Sequence, residues 1–143
     1  MMTAMTRGAI DGALVDAAVA RLVAWLERGE TEGLFAPDAF ADLTFPHWRL
    51  QVEGSAEMQR TKEEMHPAAG TTRVERVHPT ERGYVVQAEE RWESEGQQWY
   101  CREVFICDLD DEGRIAELNY YCTGDWDEAR VAEHAKAVTL VRP

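Results

Sequence analysis

Apolar side chains recur at helical spacing near the beginning of the chain, at Val15, Val19, Leu22 and Leu26. Positions three or four residues apart share one face of a helix, so the pattern predicts an amphipathic helix over residues 11–28. Asp11 can cap its first turn, and Gly29 stands where helices commonly end in the left-handed conformation.

Two further segments have helical character. The segment between Ser55 and Pro67 is predicted to be a helix that Ser55 caps and the proline ends. The C-terminal part is predicted to be helical from about residue 126, where Asp125 and Glu128 can form a capping box.

The rest of the chain alternates apolar and polar residues with the period of two that is typical of strands. Residues 31–40 are expected to be a connection with at most a short helical turn. Turn signals separate the later strands, which are therefore expected to form an antiparallel meander. The predicted strands are residues 40–45, 48–54, 71–78, 83–92, 97–109 and 114–123.

This order of elements predicts an α+β fold, with helices packed on the concave face of a curved antiparallel sheet. Such a sheet can form a cone, an α+β barrel around a cavity. With 143 residues and no long linker, the chain is expected to be a single domain over residues 1–143.

The turns of the meander determine which side chains face the cavity. The first turn, at residues 95–96, places Glu90 opposite Cys101, and the second places Glu103 opposite Tyr120. Both carboxylates then lie on one apolar face, as diagonal neighbours roughly 7–8 Å apart at the backbone. A one-residue bulge in the second turn would instead bring the chain neighbours of Tyr120 inside. The predicted inner face comprises Val86, Ala88, Glu90, Trp92, Trp99, Cys101, Glu103, Phe105, Leu118, Tyr120 and Cys122.

The outer face of the meander is mixed and carries a semi-apolar patch. A patch of this kind suits a subunit contact, so a homodimer through the outer face of the sheet is expected. Its members are Tyr100, Val104, Ile106 and Tyr121.

Charge and cysteine content exclude several classes of protein. A formal net charge of −12 repels phosphate groups, so neither nucleic acid nor a membrane surface is an expected partner. The three cysteines form no CxxC pair, which argues against a disulfide framework and favours a cytoplasmic location. The first residues lack the pattern of a signal peptide, and the most apolar early stretch is too short to span a bilayer.

Glu90 and Glu103 are the leading candidates for chemistry. In a dry cavity, burial and mutual repulsion raise the pKa of at least one of them, which places a base beside a neutral acid. Tyr120 can donate a hydrogen bond to a substrate oxygen, and His47 can shuttle a proton at the cavity mouth. Alternatively, the glutamates reach solvent or pair with arginines, and His47 is a surface turn residue. The candidate arginines are Arg21, Arg49 and Arg76.

Apolar and sulfur-bearing side chains are expected to form the substrate-binding wall around this pair. They are Trp25, Leu43, Trp48, Trp92, Trp99, Cys101, Phe105, Leu118 and Cys122. His66, His78 and His134 are predicted to be solvated. The histidines and acidic residues show no metal-ligand spacing, so neither a metal nor another cofactor is expected.

Three segments resemble the nuclear-transport-factor-like superfamily of cone folds, which includes ketosteroid isomerases, SnoaL-like polyketide cyclases and limonene-epoxide-hydrolase-like enzymes. They are "LFAPDAFADLTFP", "WRLQVEGSAEM" and "CREVFICDLDDEGRIAELNYYCTGDWD". The resemblance implies a deep pocket between sheet and helices and frequent dimers. The positions that resemble the two catalytic aspartates of the isomerase hold Leu43 and Phe105, so its mechanism is not carried over.

The residues and the resemblance together favour a cofactor-independent enzyme that uses acid/base chemistry on a small apolar or polyketide-like metabolite. Isomerase, cyclase, dehydratase and epoxide hydrolase types all fit this description. The alternative is a non-catalytic module of the same fold that binds a small ligand or mediates dimeric assembly.

Overall fold

A computed structural model describes residues 8–67 and 69–143, which form three helices and six strands. The helices are α1 (Gly12–Arg28), α2 (Ser55–Met65) and α3 (Glu128–Ala137). The strands are β1 (Phe35–Phe45), β2 (Trp48–Glu53), β3 (Gly70–Pro79), β4 (Gly83–Ser94), β5 (Gln97–Leu109) and β6 (Ile115–Cys122).

The six strands form one sheet in the order β2-β1-β6-β5-β4-β3. Neighbouring strands are antiparallel except β1 and β6, which run parallel. The sheet is curved and does not close, so the cone stays open between its edge strands β2 and β3. The predicted α+β fold and the meander from β3 to β6 are confirmed.

Helix α1 follows the sequence pattern closely. Asp11 accepts a hydrogen bond from the backbone N–H of Ala13 at 2.9 Å, and Gly29 ends the helix with φ 73°, which confirms both predicted caps. The apolar face of α1 packs against β3 and β4. Its buried side chains are Val15, Ala18, Leu22, Trp25 and Leu26.

The other two helices begin differently from the prediction. Ser55 is the first residue of α2, Gly54 precedes it and no side chain caps the helix, so the predicted serine cap is wrong. In α3 the cap is Asp127, which accepts from the N–H of Arg130 at 2.8 Å, and not Asp125. The helix begins later because the residues before it still pair with β5.

Strand β1 begins at Phe35, within the segment that was expected to be a connection, and this expectation was wrong. Pro37 is accommodated because the pairing of β1 with β6 is irregular between Phe35 and Phe40. The strand lies between β2 and β6, and its pairing with the distant β6 leaves no local sequence pattern.

Helices α1 and α2 cover the concave face of the sheet and enclose the core. Helix α3 instead packs against β5 near Tyr100 and Arg102, whose side chains point away from the core, and Trp126 lies 5.7 Å from the Tyr100 ring. On the same outer face Ile106 and Tyr121 remain 38% and 50% exposed. In the described part of the chain, no helix is long and apolar enough to cross a membrane.

Candidate active site

The hairpin of β4 and β5 positions two buried carboxylates. Its turn consists of Glu95 and Gly96, with φ 54° and 76°, the paired positive φ angles that a tight hairpin turn requires. Glu90 therefore lies opposite Cys101, as predicted, and Glu103 lies one step farther along the same face. Glu90 is 6% exposed and Glu103 is 3% exposed, so solvent exposure of this pair is ruled out.

The pairing of β5 with β6 differs from the prediction by two residues. Phe105, and not Glu103, lies opposite Tyr120, because the turn and a bulge near Ala116 each add one residue of offset. An even offset leaves every side chain on its predicted face. Tyr120 therefore still points into the cone, and its hydroxyl donates to Oε2 of Glu103 at 2.5 Å.

The two oxygens of Glu103 have different surroundings. Oε2 accepts from Tyr120 and from the Cys101 thiol, whose Sγ lies 3.8 Å away. Oε1 is buried and has no hydrogen-bond donor among the described residues. The Glu90 carboxyl is a close neighbour, because one ligand atom each of Glu90, Cys101 and Glu103 lies within 4.8 Å of the other two. Among the described residues no arginine pairs with Glu90 or Glu103, and Arg49 instead binds Asp42.

The environment of the pair favours retention of a proton at neutral pH. Burial, together with the hydrogen bond and charge of Glu103, raises the pKa of Glu90 to about 9, and the nearby His66 and Lys62 oppose this rise. Burial also raises the pKa of Glu103, while hydrogen bonds from Glu90 and Tyr120 favour its charged form. Burial therefore favours a proton on this pair, and the donors Tyr120 and Cys101 stabilise the charged form of Glu103.

Tyr120 remains a donor throughout the neutral pH range. Burial and the adjacent Glu103 raise the pKa of its hydroxyl well above the usual value. The rings of Phe45 and Phe105 hold it from two sides, with centroid distances of 5.8 and 5.0 Å. The hydroxyl is consequently held in place on Glu103.

The residue next to Glu90 has the opposite environment. Glu89 points to the outer face, where it accepts hydrogen bonds from Arg73 at 3.1 Å, Arg91 at 3.0 Å and the Tyr100 hydroxyl at 3.0 Å. Burial alone would raise the pKa of Glu89, but these three donors outweigh it and lower the pKa to about 2. Two identical side chains thus differ because consecutive strand residues face opposite sides.

The acid pair lies in a cavity of about 160 Å³ between the sheet and helices α1 and α2. The apolar part of its wall surrounds the pair, and more exposed residues border its opening. The lining residues are Trp25, Leu26, Leu43, Phe45, Met58, Thr61, Lys62, Met65, His66, Glu90, Cys101, Glu103, Phe105, Leu118, Tyr120, Cys122, Gly124 and Asp125.

Most of the predicted site residues meet in this cavity. They are Glu90, Glu103, Tyr120, Trp25, Leu43, Cys101, Phe105, Leu118 and Cys122. Those on β4, β5 and β6 meet there because alternate residues of these strands face the concave side of the sheet, as predicted. Their roles in catalysis and substrate binding remain predictions.

Four predicted site residues are not brought to the cavity. Trp48 is 67% exposed and His47 is also exposed, both at the turn between β1 and β2. Trp92 is buried but packs its ring against His66, at 3.9 Å between ring centroids. Trp99 donates its Nε1–H to the Ser94 carbonyl at 3.0 Å, within its own hairpin.

Sequence reasoning missed three polar residues at the opening of the cavity. His66, expected to be solvated, lines the cavity, and its Nε2 is buried with no hydrogen-bond partner in the described part of the chain. Lys62 lies beside it, and Asp125 approaches from the segment before α3. One signal was present: Pro67 ends α2 directly after His66, which places the histidine at the end of the helix.

One set of side chains among the described residues could hold a metal ion, namely Glu90, Cys101 and Glu103. Sequence spacing did not reveal this cluster because its members meet only across the hairpin. Burial raises the pKa of all three groups, and a metal binds their deprotonated forms. A metal ion would therefore have to displace the protons that burial favours on these groups.

The architecture defined by these observations is an open cone whose concave side encloses a small cavity with an acid pair. No protein-family model matches the sequence, and no curated protein matches it. Solved structures do match, and they show that the chain has the nuclear-transport-factor-2-like fold. The resemblance proposed from the sequence is confirmed in this respect.

Three of the matching structures are enzymes or enzyme-like proteins. SalBIII, an epoxide hydrolase/cyclase-like enzyme in pyran ring formation in the polyether salinomycin, has a TM-score of 0.66 at 14% identity, over 80% of this chain and 94% of that chain. An LEH-like epoxide hydrolase of M. tuberculosis has a TM-score of 0.62 at 11% identity, over 77% of this chain and 83% of that chain. A Δ5-3-ketosteroid isomerase from Mycobacterium sp. has a TM-score of 0.59 at 22% identity, over 82% of this chain and 95% of that chain. At such identities the shared property is the fold.

Proposed function

We propose that the protein is a cofactor-independent enzyme that performs acid/base chemistry on a small, largely apolar molecule. The observation that carries this proposal is the pair of adjacent buried glutamates, Glu90 and Glu103, in an apolar cavity. Isomerisation, ring closure, dehydration and epoxide opening all require one base and one acid at the reacting atoms. The isomerase, epoxide hydrolase and cyclase-like neighbours support this class of reaction.

The hydrogen bonds around the pair assign the two roles. Glu103, whose charged form accepts from Tyr120 and Cys101, removes a proton from the substrate or from a water molecule. Glu90, which holds its proton, donates it to the substrate oxygen on which negative charge develops. After one turnover Glu103 is protonated and Glu90 is ionised, and transfer of one proton between them restores the starting state.

Tyr120 acts in this scheme as a positioning residue. Its hydroxyl occupies one lone pair of Glu103 Oε2 at 2.5 Å, while Oε1 has no hydrogen-bond partner among the described residues and is free to accept a proton. Cys101 and Cys122 line the cavity as thiols, and burial raises the pKa of both, so neither serves as a nucleophile in this proposal.

The test uses two small reactions that require the same pair of groups. Incorporation of deuterium from D₂O next to the carbonyl of cyclohexanone, and opening of cyclohexene oxide, are both followed by NMR. If either reaction is catalysed, Glu103→Gln and Glu90→Gln should each lower its rate by on the order of 10²–10⁴-fold. Glu93→Gln is the matched control, because Glu93 lies on the same strand with its side chain exposed.

Equal rates for the wild type and the two cavity variants would refute the acid/base assignment. Binding of these compounds without turnover would favour the alternative, a non-catalytic binding module of the same fold. A single domain, a cytoplasmic location and a homodimer through the outer face remain predictions that accompany the proposal.

A further inference from the structure

We propose that the cavity binds an uncharged molecule with one ring and one oxygen acceptor, and that it excludes fused-ring skeletons such as steroids. The acceptor oxygen points towards Glu90 and the ring lies among the apolar side chains. The placement of the oxygen rests on the proposed function. The limits on size and charge rest on the cavity alone.

The first limit is volume. The cavity measures about 160 Å³, close to the 150 Å³ of an engineered apolar cavity that binds benzene. A skeleton of four fused rings is several times larger than benzene. The space beside the acid pair therefore accommodates one ring with a short substituent, and the other rings of a four-ring skeleton would have to lie in the opening.

The second limit is the stiffness of the wall. Leu43, Phe105 and Leu118 line the cavity from three adjacent strands in the middle of the sheet, and they are 6%, 2% and 1% exposed. Side chains packed to this extent cannot move aside without opening voids elsewhere in the core. The wall on the sheet side therefore sets an upper limit on substrate size.

The third limit is charge. An anion placed beside Glu90 and Glu103 would be repelled by any negative charge on the pair, and it would lose its hydration. A cation would likewise lose its hydration among the apolar side chains, and at the opening it would pass Lys62, whose ammonium lies 5.7 Å from the centroid of the Trp25 ring, as well as Asp125. A neutral molecule meets neither obstacle.

Away from Lys62, His66 and Asp125 at the opening, the carboxyls of Glu90 and Glu103 and the Tyr120 hydroxyl lie together in a mainly apolar wall. Glu90 supplies a carboxylic acid donor there, and Tyr120 is already committed to Glu103. A ligand with a single acceptor oxygen can satisfy the Glu90 donor and bury the rest of its surface. A hydrocarbon of the same size would leave that donor without a ligand partner.

The experiment compares ligands by calorimetric titration of the full chain at neutral pH. Cyclohexanone is the expected ligand, and toluene, benzoate, cyclohexylamine and a four-ring steroid ketone each violate one limit. We expect cyclohexanone to bind about 3- to 10-fold more tightly than toluene, the effect of one net hydrogen bond. The two charged compounds and the steroid ketone are expected to bind more weakly still.

A pair of leucine variants tests whether the wall sets the size limit. Leu43→Ala enlarges the cavity, so the two-ring ketone 1-decalone should bind it at least about tenfold more tightly than it binds the wild type. Leu34→Ala is the matched control, because Leu34 is 1% exposed and does not line the cavity. Leu43→Val replaces Leu43→Ala if the alanine variant does not fold.

Tighter binding of the steroid ketone, of either charged compound or of toluene than of cyclohexanone would overturn the proposal. So would an absence of cyclohexanone binding at its highest usable concentration, or an equal gain in 1-decalone binding with Leu34→Ala. These titrations measure binding and not turnover. If the titrations contradict the size limit, the kinetics of the glutamate variants still test the acid/base function. If those kinetics contradict the acid/base function, the titrations still test the size limit.

Discussion

Replacing Glu90 with glutamine tests the buried acid pair without any substrate. Folding transfers this carboxyl from water, where its pKa is 4.5, to the cavity, where burial raises the pKa to about 9. Between these two values the folded chain binds more protons than the unfolded chain. The raised pKa therefore makes the wild type lose stability as the pH rises through this window.

The magnitude follows from the size of the shift. One proton changes the free energy of unfolding by about 1.4 kcal/mol per pH unit within the window. Between pH 5 and pH 8 the contribution of Glu90 is thus a loss of about 4 kcal/mol. Glutamine has no titrating proton and can donate to Glu103, so Glu90→Gln should lack this loss.

The assay is urea unfolding of wild type and Glu90→Gln between pH 5 and pH 8, with Glu93→Gln as the exposed control on the same strand. The difference in unfolding free energy between wild type and Glu90→Gln should grow with pH, while the control follows the wild type. A constant difference across the whole range would show that Glu90 is ionised in the folded protein. The acid half of the proposed pair would then be lost.

Three further perturbations probe other contacts. Glu89→Gln should lower the free energy of unfolding by about 1–2 kcal/mol at neutral pH, after allowance for solvent screening. Because the pKa of Glu89 in the folded protein is lowered to about 2, the difference from the wild type should vanish as the pH falls towards that value. Gly83→Ala should cost about 1–3 kcal/mol, since a Cβ there would overlap the Cys107 carbonyl oxygen. Trp25→Phe should cost about 1 kcal/mol, since it removes the 2.7 Å bond from Nε1 to Gln59.

Denaturant unfolding measures all three changes. A cost of Glu89→Gln that persists at low pH would contradict the ionised arginine-bound carboxylate. Wild-type stability of Gly83→Ala would mean that β4 and β5 can separate locally at that position. No loss with Trp25→Phe would mean that the hydrogen bond to Gln59 contributes no net stability.

The fold could be predicted from the sequence where local patterns determine it. Helix α1 has its apolar stripe, its aspartate cap and its glycine end in consecutive sequence, so all three were predicted correctly. The same holds for the β4–β5 hairpin, because its two-residue turn with Gly96 permits one register. Glu90 could therefore be placed on the inner face from the sequence alone.

Other features depend on contacts between distant parts of the chain. Strand β1 starts at Phe35 because it pairs with β6, and the intervening Pro37 argues locally against a strand. His66 reaches the cavity because α2 packs over β1 and its last turn meets Trp92. In both cases the deciding neighbour lies more than 20 residues away. The pattern of apolar and polar residues within one segment therefore does not predict these distant contacts.

The neighbouring glutamates of β4 also constrain how this strand can pair during folding. Sliding β4 by one residue would turn Glu89 and Arg91 together into the cone, away from Arg73 and Tyr100 on the neighbouring strands, and would turn Glu90 outwards. Such a mispaired sheet would bury two charged side chains among apolar residues and leave the Arg73 guanidinium without its carboxylate. Glu89 and Glu90 thus favour the native register of β4 over a register shifted by one residue, independently of any ligand in the cavity.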